Sequence, residues 1–326
     1  MPRILNESDV RALVTIPDLV PLMERTLAQF SAGAVEQPLR TVLSNGPDKA
    51  YGVMPAVLAD PAAVATKLVT VFKHNHKRGL PSHLATIVLL DPETGALLAV
   101  IDGTYITEAR TAAASAMAAR YLSAPTNEHS LAIIGSGVQA RSHLEAFTHV
   151  FSVGHVRVWS PTDTHRRQFV NTMAKSTDVP LTAATSAEDA VRGATLVVLA
   201  TSSAEPVIES GWVRDGTHVT SVGASFPHQR EMDPRLVARA RLIVDSRTGA
   251  LAESGDIIQG IAEGRFSETH LAGEIGEIVN GKIGGRTRQD EVTIFKSLGM
   301  AVEDVAAAHL AYTRACEQSR GTVIEL

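Results

Sequence analysis

Cysteine is nearly absent from this sequence of 326 residues. The one cysteine, Cys316, excludes an internal disulfide framework and is typical of a protein from a reducing compartment. Its position in a helical pattern near the C-terminus favours a small buried side chain over a nucleophile. The stability of the fold must therefore come from its hydrophobic core and not from covalent cross-links.

Long hydrophobic runs and an excess of positive charge are also missing. No stretch approaches the roughly 18 apolar residues of a membrane span, and the N-terminus has no apolar signal-peptide core. Lys and Arg number 30 against 35 Asp and Glu, and this net charge of −5 gives no reason to expect nucleic acid or an anionic membrane as a partner. We predict a cytoplasmic globular protein that is long enough for two domains.

Metal-binding and serine-hydrolase motifs are absent as well. His74 and His76 lie in the basic segment KHNHKRG without neighbouring acids or cysteines, so we expect a solvated loop there and no metal. Whether residues 74–79 cover a site is left open. The motif GxSxG does not occur, so a nucleophile elbow is not predicted either.

A strand–turn–helix pattern between residues 130 and 147 is the strongest feature that the sequence does contain. Four apolar residues lead into GSGVQA, and a helical pattern follows. In a dinucleotide-binding βαβ unit, the first glycine permits the tight turn and the second lets the backbone approach the pyrophosphate, which the helix amides then face. The residues predicted to bind the dinucleotide here are Gly135, Ser136, Gly137, Val138 and Gln139.

The end of the second strand of this unit indicates which dinucleotide is bound. NAD sites usually carry an acid there for the ribose hydroxyls, but this strand ends in WSPT. Ser160 and Thr162 can hydrogen-bond a 2′-phosphate, and Arg166 or Arg167 follows one helical turn later to neutralise it. Asp163 is able to serve a ribose instead. We therefore favour NADP(H) as the cofactor and keep NAD(H) as the alternative.

The order of the predicted elements divides the chain into two parts. Residues 1–123 contain two helices and then strands joined by short turns, which favours an antiparallel or mixed sheet. Between residues 124 and 300, apolar strands alternate with helices, as in a parallel sheet covered on both faces. We predict an α/β protein with a Rossmann dinucleotide-binding domain at 124–300 and a mixed α+β domain at 1–123, which a helix within 301–326 completes.

Three cations in the first part are candidate binding residues, and two of them stand where cations are usually disfavoured. Lys67 interrupts the apolar strand ATKLVTVF, where an unpaired buried ammonium is costly. Arg110 is expected in the first turn of an alanine-rich helix, where a cation opposes the helix dipole unless an anion is near. Each has an ordinary alternative: Lys67 faces solvent, or Arg110 pairs with Glu108 or Asp102. Together with Arg40 they suggest a pocket in which guanidinium groups orient a small carboxylate.

Nine short segments, spread over about residues 3–320, occur together in one known family. They are QPLRTV at 37–42, TKLVT at 66–70, PSH at 81–83, ITEARTAA at 106–113, VGAS at 222–225, REMD at 230–233, VDS at 244–246, ESGD at 253–256 and TIFKSLGMAVED at 293–304. In this combination the chain resembles the ornithine cyclodeaminase/μ-crystallin family, and most closely its μ-crystallin (ketimine reductase) branch.

The resemblance implies a homodimer whose N-terminal sheet and C-terminal helix form the dimerisation and substrate domain. It implies that the positions of Arg40, Lys67 and Arg110 recognise a carboxylate. It also implies that the Ser-Leu-Gly-Met segment lies near the nicotinamide, so the further cofactor-binding residues predicted here are Ser297, Gly299 and Met300.

One departure from the family pattern narrows the function. Ornithine cyclodeaminases carry an aspartate that handles the substrate amine during cyclisation, and Ser225 occupies that position here. A serine neither holds an ammonium as a carboxylate does nor acts as a base near neutral pH. Ser225 therefore argues against cyclodeaminase activity. We predict that Ser225 is a substrate-binding residue of a reductase that uses NADPH.

The sequence thus predicts an NAD(P)H-dependent reductase of the C=N bond of cyclic imino acids, such as Δ1-pyrroline-2-carboxylate or Δ1-piperideine-2-carboxylate. Arg40 and Arg110 would hold the carboxylate, while Lys67 would hydrogen-bond near the imine and deliver or relay its proton. Glu108 and His83 are expected to support these groups. The alternatives are reductive amination of a 2-oxo acid, as in an alanine dehydrogenase, ornithine cyclodeamination, and NADPH-dependent binding of a small ligand without turnover.

Overall fold

The chain forms two compact units. The computed structural model describes residues 1–325, apart from the side chain of His76. The first unit comprises residues 1–110 and the described chain from Met300 onward, and the second comprises Thr111–Gly299. Each unit contains one large β-sheet.

The elements follow in chain order. The helices are α1 (Glu7–Leu13), α2 (Ile16–Ser31), α3 (Gly103–Leu122), α4 (Val138–Val150), α5 (Asp163–Met173), α6 (Ala187–Val191), α7 (Pro234–Arg239), α8 (Arg247–Glu253), α9 (Gly255–Ala262), α10 (Ile275–Val279) and α11 (Ala301–Glu317). The strands are β1 (Arg3–Leu5), β2 (Val35–Glu36), β3 (Thr41–Ser44), β4 (Lys49–Ala59), β5 (Ala62–Phe72), β6 (His83–Leu90), β7 (Leu97–Asp102), β8 (His129–Ile134), β9 (Val153–Trp159), β10 (Leu181–Ala183), β11 (Leu196–Leu199), β12 (His218–Ser221), β13 (Arg241–Val244), β14 (Leu271–Glu274), β15 (Thr293–Lys296) and β16 (Thr322–Val323). Short 3₁₀ turns lie at Asn75–Arg78, Ser210–Trp212 and Glu268–His270.

The boundary between the units falls within α3, whereas the sequence pattern places it after residue 123. The second half of this helix makes its contacts in the second unit. Ser115 Oγ lies 2.9 Å from His143 Nε2, and the Leu122 carbonyl accepts hydrogen bonds from Arg286 and Thr293. A helix that reads as one element in the sequence therefore contributes to two cores.

The sheet of the first unit has the order β16-β1-β7-β6-β5-β4-β2, with β3 also paired to β4. All neighbouring strands are antiparallel except β1 and β7, so the predicted mixed sheet is confirmed. Helix α11 packs on β4, β5 and β6, and α2 packs on α11. Buried side chains on β4, such as Met54, Ala56 and Leu58, alternate with half-buried or exposed ones. The core therefore lies between one face of this sheet and the helices.

The sheet of the second unit is parallel throughout and has the order β10-β9-β8-β11-β12-β15-β13-β14. Every residue of β11, β12 and β15 is buried, as expected of parallel strands covered on both faces. Because β9 lies on one side of β8 and β11 on the other, the strand order reverses at β8. This confirms the predicted Rossmann-type sheet, in which ligands bind at the carboxyl ends of the strands near that reversal.

The prediction that Arg110 lies in the first turn of its helix was wrong. Helix α3 begins at Gly103, whereas the sequence pattern predicts a start at Thr107. Asp102 causes the earlier start, because its Oδ1 accepts a hydrogen bond from Tyr105 N at 3.2 Å and so satisfies an amide of the first turn. Arg110 therefore lies about two turns inside the helix, beyond the reach of the N-terminal dipole.

Cys316 is exposed, so the expectation of a buried side chain was also wrong. The buried face of α11 near its end carries Ala311 and Ala315. Cys316 follows Ala315 directly, and one residue rotates the side chain by about 100° around a helix, here away from the core.

The described residues contain neither a membrane-spanning helix nor a group of metal-binding side chains. Across residues 1–325, no helix combines the length and the apolar character that a membrane span requires. In the same part of the chain, no three His, Cys, Asp or Glu side chains are grouped so that they could hold a metal ion. The side chain of His76, named above beside His74, lies outside the described residues.

Candidate active site

Gly135, directly after β8, meets two requirements that exclude other residues. Its φ of +124° lies in a region that residues with a side chain rarely adopt. A Cβ atom at this position would lie 2.4 Å from the carbonyl oxygen of Ala200, which follows β11. The Gly135 amide also donates to the Trp159 carbonyl at 2.7 Å, which ties the turn to the end of β9.

Gly137 is the N-cap residue of α4, and the space that a side chain at this position would occupy is open. The cap makes no side-chain hydrogen bond, and the first turn of α4 contains no acidic residue. A Cβ at Gly137 would meet no atom of the described chain within 4 Å. The amides of Val138 and Gln139 begin this helix, and a helix N-terminus with this chemistry favours a phosphate. The residues present therefore fit a dinucleotide pyrophosphate.

Gly137→Ala is expected to weaken cofactor binding without unfolding the protein. The added methyl group meets no described atom, but it takes up the space through which a phosphate would approach. We expect the Kd for NADPH, measured by fluorescence titration, to rise about tenfold or more, while Tm falls by no more than about 4 °C.

Gly211→Ala is the matched control, because Gly211 lies in the same unit and also has open space around it. It should leave both Kd and Tm close to their wild-type values. Wild-type NADPH affinity in Gly137→Ala would contradict the assignment of the glycine turn.

The end of β9 brings three of the predicted nucleotide-binding residues together. Ser136 Oγ donates to Ser160 Oγ at 3.1 Å, and Arg166 Nη1 donates to the Ser160 carbonyl at 2.7 Å. Thr162 is exposed at the N-terminus of α5, where its side chain makes no capping hydrogen bond. The glycine turn and the end of β9 thus present hydroxyl and guanidinium groups at one edge of the sheet.

Asp163, the alternative ribose ligand, is bound by two arginines. Its Oδ1 accepts a hydrogen bond from Arg166 Nη2 at 2.9 Å, and its Oδ2 accepts one from Arg167 Nε at 2.7 Å. These hydrogen bonds, with Arg167 the stronger influence, hold the pKa of Asp163 below its ordinary value. Each carboxylate oxygen already has a guanidinium partner, so a ribose hydroxyl would compete with both.

Asp245 holds the Ser-Leu-Gly-Met segment that follows β15. Its Oδ2 accepts hydrogen bonds from Ser297 Oγ at 3.2 Å, Leu298 N at 2.6 Å and Gly299 N at 2.8 Å. Gly299 has a φ of +74°, so the segment turns sharply after β15. Ser297 and Gly299 therefore lie at the same sheet edge as the glycine turn, and their contact with a cofactor stays a prediction.

Ser225 lies in the second unit, whereas Met300 lies in the first. Ser225 is half-buried in the loop after β12, and its amide donates to the Gly223 carbonyl at 3.1 Å. Met300 belongs to the first unit, where its amide donates to Glu303 Oε2 at 3.1 Å. The roles predicted for these two residues remain predictions.

Lys67 is buried in the first unit and forms an ion pair. Its side chain is 2% exposed, and Nζ lies 2.5 Å from Asp304 Oδ2 on α11. Nζ also donates to Thr107 Oγ1 at 3.5 Å. The alternative that Lys67 faces solvent is therefore wrong, because β5 turns this side chain toward α11.

Arg110 contacts two adjacent acids at the start of α11. Its Nη1 lies 2.5 Å from Glu303 Oε2, and its Nε lies 2.9 Å from Asp304 Oδ1. All three side chains are 3% exposed or less. Glu108, one partner considered from the sequence, lies 3.4 Å from Arg11 instead. The anions that hold Arg110 therefore come from the far end of the chain.

Burial and neighbouring charges shift the pKa values in this cluster. Burial lowers the pKa of Lys67 to about 8, with further lowering by Arg110 and Arg40 and an opposing effect of Asp304. Burial alone would raise the pKa of Asp304, but Arg110 and Lys67 outweigh it and hold that pKa below the usual value. The pair is therefore ammonium and carboxylate at neutral pH, with Lys67 close to its titration point.

Arg40 and His83 complete the cluster. The half-buried Arg40 lies near enough to influence the pKa of Lys67. In the β5–β6 register Lys67 is opposite Ile87 and Val71 is opposite His83, so His83 faces the same side of the sheet as Lys67. Burial, then Lys67 and Arg110, lower the pKa of His83 to about 4, which makes it neutral at pH 7.

All three cations of this cluster are predicted from the sequence as site residues, but no role is predicted for Glu303 and Asp304. The signal was present, since two consecutive carboxylates open an otherwise alanine-rich helix. Acids in a first helical turn are ordinarily explained by the helix dipole, so the pattern did not indicate a buried ion-pair cluster. Only the packing of α11 on β5 shows that these carboxylates face inward.

These features define a dinucleotide-binding protein of the Rossmann type that has a second, sheet-containing unit with a buried ion-pair cluster. The chain belongs to the ornithine cyclodeaminase/mu-crystallin family, whose model matches residues 2–319. This confirms the resemblance seen in the sequence.

Proteins similar to this chain include two reductases and a dehydrogenase. The ketimine reductase mu-crystallin of Rattus norvegicus is 42% identical over 298 residues, which cover 90% of this chain and 91% of that protein. The structure of Thermococcus litoralis Delta(1)-pyrroline-2-carboxylate reductase in complex with NADH and L-proline is 38% identical, with a TM-score of 0.96 over 99% of this chain and 100% of that one. An archaeal alanine dehydrogenase dimer with bound NAD is 31% identical, with a TM-score of 0.93 over 99% of each chain.

Proposed function

We propose that this protein is an NAD(P)H-dependent reductase of the C=N bond of cyclic imino acids of the Δ1-pyrroline-2-carboxylate or Δ1-piperideine-2-carboxylate type. The observation that carries the proposal is the buried Lys67–Asp304 pair beside the guanidinium group of Arg110. This arrangement offers a proton donor together with cations that bind a carboxylate. The rat ketimine reductase and the Thermococcus litoralis reductase, each similar over most of the chain, support the same reaction.

Binding of the substrate carboxylate is assigned to Arg40 and Arg110. Arg110 contacts the carboxylates of Glu303 and Asp304, and Lys67 contacts Asp304. The guanidinium groups of Arg40 and Arg110 suit the planar carboxylate of a small ligand. Glu303 and Asp304 fix the orientation of the Arg110 guanidinium, and fixed orientation of a binding group favours a single substrate pose.

Delivery of the proton is assigned to Lys67. A pKa of about 8 lies near the working pH, where a general acid both carries a proton and releases it readily. A hydrogen bond from Lys67 Nζ to the imine nitrogen favours the protonated imine, which is the better electrophile. The bound reduced nicotinamide supplies the hydride. His83, neutral at this pH, adds no further charge to the pocket.

The test of this function is NADPH oxidation with a panel of substrates. We expect turnover of Δ1-pyrroline-2-carboxylate and Δ1-piperideine-2-carboxylate without any added amine. The archaeal alanine dehydrogenase makes reductive amination the second candidate, and that reaction would require ammonia or methylamine together with pyruvate. Turnover only with an added amine would reject imine reduction in favour of the second candidate, and cofactor binding without any turnover would favour a ligand-binding protein.

NADP(H) is proposed as the preferred cofactor. Asp163 binds both Arg166 and Arg167, so the acid that would select a free ribose is already neutralised. Arg167 is 72% exposed and Arg166 keeps contact with the Ser160 carbonyl, which leaves two cations next to hydroxyl groups that suit a 2′-phosphate.

Arg167→Ala is therefore expected to raise KM for NADPH about tenfold and to leave KM for NADH within about twofold. The measurement is initial-rate kinetics with each cofactor on the same imino acid. Arg192→Ala is the control, because Arg192 forms a comparable exposed ion pair with Glu188 four residues before it. Equal changes in both KM values, or no change in either, would contradict the proposed preference.

A homodimer through the outer face of the first unit's sheet is also proposed. On this face Val57 of β4 and Leu84 of β6 are 42% and 37% exposed, and Leu43 of the neighbouring β3, which is paired with Tyr51 of β4, is 55% exposed. Exposed apolar side chains in such a group mark an interaction surface, and a twofold dimer would cover it with the same face of a second copy. The archaeal alanine dehydrogenase is likewise described as a dimer.

Val57→Asp is expected to convert a dimer into a monomer, because it would bury two unpaired carboxylates in the interface. Sedimentation velocity gives the mass. Val323→Asp is the control, since Val323 is also exposed but lies on β16, at the other end of the strand order. A wild-type monomer, or a dimer that Val57→Asp leaves intact, would exclude this interface.

A further inference from the structure

Glu231 forms the centre of a second buried charge cluster, separate from the residues to which substrate binding and proton transfer are assigned. Glu231 lies in the segment between β12 and α7 and is fully buried. Its Oε1 accepts a hydrogen bond from Thr201 N at 2.6 Å, and its Oε2 accepts from Ser221 Oγ at 2.9 Å, Gly223 N at 2.9 Å and Ala224 N at 3.3 Å. One carboxylate thus joins the loop after β11 to the loop after β12.

Asp256 and Lys296 extend this cluster. Asp256 Oδ1 accepts hydrogen bonds from the amides of Glu231 and Met232, each at 2.9 Å. Asp256 Oδ2 lies 3.3 Å from Lys296 Nζ, which donates to Ser221 Oγ at 3.1 Å. Lys296 is the last residue of β15, so the cluster reaches a third strand end.

The buried charges at this sheet edge do not balance. Glu231, Asp256 and Asp245 carry carboxylate groups, and in the described part of the chain the cation of this cluster is Lys296, whose ammonium lies 3.3 Å from Asp256 Oδ2. Arg230, which is also buried, lies 2.9 Å from Glu263 and is neutralised there. Three negative charges against one positive charge leave a net charge of −2.

Glu231 keeps its charge because of its hydrogen bonds. Burial, together with the neighbouring Asp256, holds the pKa of Glu231 above its usual value, although Lys296 and the hydrogen bond from Thr201 N oppose that effect. Three backbone N–H groups donate to its two oxygens, and an N–H group has no means of accepting a proton from a neutral carboxyl. The carboxylate form therefore satisfies this site better than the protonated form does.

The cluster lies where a Rossmann sheet binds the nicotinamide half of its cofactor. Thr201, Ser221 and Lys296 mark the carboxyl ends of β11, β12 and β15, on the side of β8 away from β9. A dinucleotide lies across this edge, with one half on each side of the strand reversal. Charges buried in a protein are screened less by water and salt than charges at the surface, so they act more strongly on a neighbouring ligand.

We propose that the Glu231–Asp256–Lys296 cluster, together with Asp245, favours the oxidised nicotinamide over the reduced form and so promotes hydride donation. This inference rests on the proposed function. In that step the hydride passes to the imine carbon, the imine nitrogen takes up the electron pair of the C=N bond, and a positive charge remains on the cofactor. The fixed negative charge of the cluster stabilises that positive charge.

The ratio of two dissociation constants tests the proposal. Glu231→Gln removes one negative charge and is expected to raise the ratio Kd(NADP⁺)/Kd(NADPH) about fivefold or more. Asp256→Asn removes another and should shift the ratio in the same direction. Isothermal titration calorimetry gives both constants without any turnover, so the result does not depend on which imino acid is the substrate.

Ser221→Ala is the matched control, because it removes two hydrogen bonds from the same cluster and leaves its charge unchanged. A purely structural role would weaken both cofactor forms in parallel, in this variant and in the others. A ratio within about twofold of wild type in both charge variants would overturn the proposal.

The wild-type protein provides a measurement that does not depend on how the variants fold. It is expected to bind NADP⁺ at least as tightly as NADPH, and binding of NADPH that is about tenfold tighter would overturn the proposal. A shifted ratio in the variants, combined with no imine reduction in the wild type, would reject the proposed function and leave this inference standing.

Discussion

Lys67→Met is expected to lower kcat/KM for imine reduction about 1000-fold and to leave the affinity for NADPH unchanged. Methionine has a similar length and suits the buried position of this side chain on β5, but it carries no proton. The predicted cofactor residues other than Met300 lie in the second unit, so the variant should titrate with NADPH as the wild type does. Steady-state rates and a fluorescence titration of the same preparation provide both numbers.

Lys73→Met is the matched control for this variant. Lys73 follows β5 directly, but its side chain is 49% exposed and its ion pair with Asp48 is at the surface. It should retain wild-type kcat/KM. A rate near wild type in Lys67→Met would reject Lys67 as the proton donor.

The pH dependence of kcat/KM in the wild type is a second test of Lys67 as the proton donor. Lys67 has a pKa of about 8 in the folded protein, against an ordinary value of 10.5. Because the protonated form is the donor, kcat/KM should be steady below pH 8 and fall about tenfold per pH unit above it. The profile of Lys67→Met should lack this fall.

Asp304→Asn is expected to lower the free energy of unfolding by about 3 kcal/mol and to abolish most activity at pH 7. The substitution removes the carboxylate that pairs with both Lys67 and Arg110, and both cations are buried. It also removes the group that raises the pKa of Lys67, so the lysine loses its proton at neutral pH. Urea denaturation monitored by circular dichroism measures the change in stability.

Low pH should reduce the difference in stability between this variant and the wild type. The pKa of Asp304 is below 3.8 in the folded protein, so its contribution to stability is complete above about pH 3.8 and is lost as the pH falls through the folded value. Asp48→Asn is the control, since it breaks an exposed Asp–Lys pair that water and salt screen and should leave stability close to that of the wild type. A loss of about 0.5 kcal/mol or less in Asp304→Asn would contradict the buried pair.

Local features of the sequence were sufficient to predict the dinucleotide half of the site. The apolar strand, Gly135, Gly137 and the helix that follows are adjacent in the chain, so their geometry depends on short-range sterics. The exclusion of a side chain at Gly135 by Ala200 could not be predicted, because β11 lies about 60 residues further along the chain.

Local context singled out Lys67 and Arg110 but not the groups that surround them. A lysine within an apolar strand is unusual wherever it occurs, so Lys67 could be selected from its neighbours alone. The reasoning for Arg110 relied on a helix start that the side chain of Asp102 moves to Gly103. Arg110 lies in the buried cluster with Lys67, but the sequence predicts the wrong position for it in the helix, and its role stays a prediction.

The sequence by itself determined the family, the mixed sheet of the first part and the parallel sheet of the second, and the residues that stand out chemically. Only the tertiary structure decided which charges meet, as in the pairing of Arg110 with Asp304, 194 residues apart. The stability and pKa of a buried charge depend on the groups within a few ångströms of it, and these come from distant segments that the packing brings together. Glu303, Asp304 and Glu231 owe their roles to that packing and not to their neighbours in the chain.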